Sequence, residues 1–80
     1  MEANIPEEKS IRSVGRNGLQ LDLMDGSRWE VGVGDNTMTL IWLPTARVIV
    51  EEHAEDKLYP YRITNLDTYG PEVVRAMRTW

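Results

Sequence analysis

From Ser10 onward, apolar and polar residues alternate in short runs separated by turn residues. "SIRSV" predicts a first strand, and "GRNG" ends it with Asn17-Gly18, a pair that tolerates the positive φ of a tight turn. In "LQLDLM", Leu19, Leu21 and Leu23 share one parity and Gln20 and Asp22 the other, the pattern of a half-buried strand. After Asp25-Gly26 the alternation resumes in "SRWEV", with Trp29 and Val31 inward and Arg28 and Glu30 outward, which predicts a hairpin.

Residues 36–43, "NTMTLIWL", carry enough Thr, Ile and Trp to predict another strand, ended by Pro44. Met38, Leu40 and Trp42 fall on one parity and Ile41 and Leu43 on the other; a short helix around residues 34–40 is the competing reading. "RVIVEE" predicts a strand with Val48 and Val50 on one face, and "HAEDK" an exposed polar connection. "LYPYRITNL" predicts a strand entered through Pro60, "DTYGPE" a turn, and "VVRAM" a closing strand. An open sheet of so many strands in so short a chain leaves an apolar face and two edges uncovered, and curling removes both. The expected fold is therefore all-β: a small SH3-like or strongly bent five- to six-stranded antiparallel barrel, with an OB-like barrel as the runner-up. Residues 1–9 are expected to form a loosely packed lead-in and residues 10–80 the single domain.

Composition narrows the picture. Eighty residues hold one thin core, and with no phenylalanine that core falls to three tryptophans, three tyrosines and the aliphatic residues. Trp29 and Trp42 are expected in the core. No cysteine is present, which excludes disulfides, cysteine zinc sites and thiolate catalysis. "MEANIPEEKS" is acidic and polar, unlike a basic and then apolar targeting segment, so the expected location is cytoplasmic and no membrane partner is expected. The net charge of −4 disfavours nonspecific attraction to nucleic acid or anionic lipid, although seven of the nine basic residues are arginines.

Candidate chemistry is sparse. "DGS" is simplest as a turn in which Asp25 bonds nearby backbone. Gly32 and Gly34 mark a bulge or corner; no helix of suitable periodicity follows to make them a dinucleotide fingerprint. His53, the lone histidine, sits in "EEHAED", whose carboxylates make a solvated acidic loop rather than a zinc site. Ser10, Ser13 and Ser27 lack a nucleophile elbow. No catalytic residue, metal ligand or cofactor is therefore assigned, and the chain is expected not to be an enzyme.

The stretches "NGLQLDLMDGSRWEV", "LIWLP", "RVIVEE" and "YPYRITNLDTYGPEVVRAM" resemble small bacterial β-barrel proteins of unknown function with a DGS-x-W, W-L-P and Y-P-Y-x-x-x-N-L pattern. The resemblance covers about residues 10–78. It implies a stand-alone or periplasmic-type barrel module and carries over no catalytic residue. Thr45-Ala46 stands where that pattern has a loop glycine-aspartate.

Two functional readings follow. The first is a non-enzymatic protein–protein interaction module, an acidic inhibitor or adaptor, that binds another protein or itself. It would use a strand edge or a rim of Glu51, Glu52, Glu55, Asp56, Tyr59, Tyr69 and Trp80. Trp80 either folds back as a lid or stands at a contact. The alternative is a single-stranded nucleic-acid-binding barrel with Arg28, Arg47, Arg62 and Arg75 on one face beside an aromatic platform.

Overall fold

The computed structural model describes residues 7–80 as six strands and one short helix. The strands are β1 (Glu8–Val14), β2 (Gln20–Leu23), β3 (Arg28–Val31), β4 (Arg47–Glu52), β5 (Tyr61–Asn65) and β6 (Glu72–Arg78), and α1 (Asn36–Thr39) lies between β3 and β4. They close into an antiparallel barrel in the order β1-β2-β3-β6-β5-β4. The expected small barrel is therefore the fold, with six strands. Two three-stranded meanders, β1–β3 and β4–β6, are joined along two seams, β1 to β4 and β3 to β6. Of the expected lead-in, residues 1–6 lie outside the described residues, while Glu8 and Lys9 already pair with Ile49 and Val48.

Alternation in the sequence becomes the barrel wall. Leu21 and Leu23 of β2, Trp29 and Val31 of β3, Val48 of β4, Ile63 of β5 and Val74 and Ala76 of β6 point inward and are buried. Ile11 completes the core from β1, and Trp42 from the connection between the two meanders. The register of β1 against β2 slips between Ile11 and Ser13, so that Arg12 and Ser13 are both exposed beside buried Ile11.

One expected strand is absent. Residues 36–39 are helical and residues 40–41 a turn. Met38 and Trp42 share a parity, but they also stand four apart, which brings both to one face of a helical turn. Local bonds begin the coil. The Gly34 N–H donates to Asn36 Oδ1 at 2.9 Å, and the Thr37 hydroxyl donates to the Gly34 carbonyl at 3.0 Å. These bonds coil the chain after Gly34, whose φ of 101° turns it away from the β3 direction.

The antiparallel order sorts the connections between the two barrel ends. At one end lie the β1–β2 turn, the long crossover from residue 32 to residue 46, and the β5–β6 loop. At the other lie the β2–β3 turn and the β4–β5 loop. No helix among the described residues is long and apolar enough to cross a membrane.

Candidate functional site

The crossover closes one end of the barrel and is pinned along its length. Asn36 Nδ2 donates to the Asn17 carbonyl at 2.9 Å, and the buried Thr39 hydroxyl donates to the Gly18 carbonyl. Gly18 has φ of 76°, and a Cβ there would collide with the Asn36 carbonyl oxygen, so only glycine lets the β1–β2 turn meet α1 this closely. Trp42 turns into the core, and its indole N–H donates to Glu72 Oε1 at 2.7 Å at the start of β6. Beyond it, the Thr45 N–H donates to the Ile11 carbonyl at 2.7 Å and the Ile11 N–H to the Ala46 carbonyl at 3.0 Å.

With Met38, Thr39 and Trp42 turned inward, the neighbouring side chains have only solvent to face. Leu40 is half exposed, and Ile41 and Leu43 are each 71% exposed. Single apolar residues are common on protein surfaces, but three large ones within four positions of a braced segment form a patch of the kind found at contacts. The residues of "LIWLP" are all apolar, and that excess was the available sequence signal; the strand reading divided it between two parities instead.

A second cluster lies on the outer wall of β5 and β6. Asp35 Oδ2 accepts from the Arg75 backbone N–H at 2.8 Å and from Arg75 Nε at 2.9 Å, while Arg75 Nη2 donates to the Val33 carbonyl. The Arg75 guanidinium lies 5.5 Å from the centre of the Tyr59 ring. Arg62, opposite Arg75 on β5, donates to Asp56 Oδ2 at 3.0 Å and to the Tyr59 carbonyl at 2.9 Å. Burial pushes the Asp35 carboxyl up, but the Arg75 donors and charge outweigh it and hold its pKa below the ordinary value. The Tyr59 backbone N–H and then Arg62 do the same for Asp56 against the burial that opposes them. The cluster fastens the crossover and the β4–β5 loop to the barrel wall.

The seven residues expected to make one interaction rim do not share a surface. Glu51, Glu52 and Glu55 are exposed around the β4–β5 hairpin. Asp56 and Tyr59 belong to the wall cluster. Tyr69 is fully exposed in the β5–β6 loop, beyond the opposite end of β5. Trp80 lies beside β3, its N–H and carbonyl bonded to the Arg28 backbone and the residue 76% exposed, so it is not a lid. Closure of the barrel also removes the free strand edge that was a candidate binding element.

The four arginines of the alternative reading are likewise dispersed. Arg47 makes a two-pronged contact with Asp67 from β4, at 3.0 and 2.7 Å. That pairing holds the Asp67 carboxyl below its usual range. Arg62 and Arg75 are committed to Asp56 and Asp35, whereas Arg28 has only Asp22 at 3.8 Å. Among the described residues, no group of three or more His, Asp or Glu side chains stands where it can hold a metal ion. Comparison of the chain with models of protein families, with curated proteins and with solved structures yields no match.

Proposed function

We propose that this protein is a non-enzymatic protein–protein interaction module, and that its contact surface is the outward face of the crossover. The exposure of Leu40, Ile41 and Leu43 on a segment fixed by Trp42, Thr39 and Thr45 carries the reading. Such a surface is already ordered before contact, so little conformational freedom is lost when a partner covers it. A closed barrel offers no strand to extend, which leaves side chains as the means of recognition. Glu51, Glu52 and Glu55 lie around the hairpin at the far end of the barrel and take no part in this surface. We place the module in the cytoplasm, among the small bacterial barrels that its motifs resemble.

The test is an affinity capture from nuclease-treated host lysate across a salt series, with wild-type protein beside an Ile41→Asp, Leu43→Asp variant. A stoichiometric protein held by the wild type and lost by the variant supports the reading. Equal capture by both removes the crossover as the contact surface. Recovery of nucleic acid that disappears as salt rises replaces the reading with the arginine-based one.

A further inference from the structure

We propose that the outer wall of β1–β3 carries a second site, a groove that binds a nucleoside phosphate. The groove has a volume of about 670 Å³, within the usual span for small-molecule sites. Arg12, Ser13, Asp22, Arg28 and Trp80 provide its chemistry.

The backbone puts these groups together. Ser13, Asp22 and Arg28 are successive partners across β1, β2 and β3 and form one outward row. The register slip beside Ile11 adds Arg12 to that exposed face, a common use of an extra residue in a strand. Trp80 is held at the end of the row. The Arg28 N–H donates to its carbonyl at 3.0 Å, its own N–H donates to the Arg28 carbonyl at 3.2 Å, and Arg78 Nε donates to the Trp80 carbonyl at 2.9 Å.

Arg12 and Arg28 differ from Arg47, Arg62 and Arg75 in what they leave open. Arg47, Arg62 and Arg75 each hold a carboxylate at 3.0 Å or less. Arg28 has its carboxylate only at 3.8 Å, beyond hydrogen-bond range, and Arg12 has none within 4.0 Å among the described residues. Asp22 also accepts from Gln20 Nε2 at 3.3 Å, so its charge is shared. Two guanidiniums therefore face one engaged carboxylate, an excess of donors suited to the oxygens of a phosphate. The exposed indole of Trp80 supplies a flat apolar face on which a base stacks. The chain's net charge of −4 repels a long polyanion at range, which favours a short ligand over a strand.

Trp80 is also the reporter, because Trp29 and Trp42 are buried. Its fluorescence is followed in phosphate-free buffer during titration with adenosine monophosphate, adenosine, inorganic phosphate and a short single-stranded oligonucleotide. Saturable quenching by the monophosphate is expected, with adenosine and phosphate each weaker by about tenfold or more. Arg12→Gln and Arg28→Gln should each weaken the monophosphate by about tenfold with unchanged circular dichroism. Trp80→Leu, followed by NMR chemical shifts, should show a similar loss. An oligonucleotide no tighter than the monophosphate identifies a free nucleotide; a tighter one with steep salt dependence identifies the same chemistry within a strand. No saturable response, adenosine equal to the monophosphate, or both arginine variants binding as the wild type does would each overturn the proposal. None of these results bears on the crossover surface, where Ile41 and Leu43 lie.

Discussion

The indole N–H of Trp29 donates to the Ser27 hydroxyl at 2.8 Å, and that hydroxyl donates in turn to Asp25 Oδ1 at 2.6 Å. The spacing of "DGSRW" thus acquires a physical meaning. Asp25 closes the turn by also accepting the Ser27 backbone N–H at 2.9 Å, and Ser27 passes that anchorage to one of the two tryptophans of the core. Ser27→Ala leaves the buried indole N–H without a partner and should destabilise the fold by about 1–3 kcal/mol. Urea unfolding followed by Trp fluorescence checks this; a change under about 0.5 kcal/mol would mean that another group satisfies the indole.

Acid should weaken the same turn. The Ser27 hydroxyl and backbone N–H, helped by Lys9 at 3.0 Å and opposed by some burial, lower the pKa of Asp25 to about 2. A carboxyl whose pKa is lower folded than unfolded contributes fully above its unfolded value of 3.8, and the contribution disappears as pH falls from there through about 2. Because the side chain is 39% exposed, solvent screening reduces that contribution to about 1 kcal/mol. Asp25→Asn should remove this share of the acid limb while Asp35, Asp56 and Asp67, also lowered, retain theirs. Unfolding midpoints at about pH 6 and about pH 2.5 should lie closer together in the variant than in the wild type.

Thr45 has φ of 70°, a conformation that a β-branched side chain adopts at a cost. It persists because the Thr45 N–H must reach the Ile11 carbonyl as the crossover enters β4. Thr45→Gly should stabilise the protein by about 0.5–1 kcal/mol, the relief of strain exceeding the extra freedom of the unfolded glycine. A lower urea midpoint for this variant would mean that the threonine side chain makes a compensating interaction.

Gly18→Ala should act in the opposite direction. The new methyl meets the Asn36 carbonyl oxygen and the Thr39 hydroxyl while φ stays positive. A loss of at least about 2 kcal/mol is expected, with faster amide exchange at Leu40 and Trp42 as the crossover loosens. Normal stability with unchanged exchange would show that the turn and α1 move apart without penalty.

Much of the barrel was legible in the chain because strand periodicity records burial directly. Leu21 and Leu23, and likewise Trp29 and Val31, are inward as their parity requires. The "NTMTLIWL" segment was not, since Met38 and Trp42 satisfy either a strand or a helical turn until Gly18 and Asn17 supply the distant carbonyls that select one. The candidate surfaces were less legible still. Whether Arg75 or Arg12 is available to a ligand depends on where Asp35 lies, 40 residues away from Arg75 in sequence, and on a register slip that no local pattern records. Tyr59 and Tyr69 look alike as loop aromatics, yet one is stacked beneath a guanidinium and the other is bare.

The division into two meanders has a consequence for assembly. Within each half, strands meet through local hairpins, but the two seams join partners far apart in the chain, Glu8 with Ile49 and Val31 with Ala76. A second copy presents the same seams in the same register. If the crossover straightens, the β4–β6 half of one chain can complete the β1–β3 half of another, giving an exchanged dimer without any new interface chemistry. The bonds at Gly18, Glu72 and Ile11 that bend the crossover back therefore also oppose such an exchange. Weakening them at high protein concentration shifts the balance toward entwined pairs.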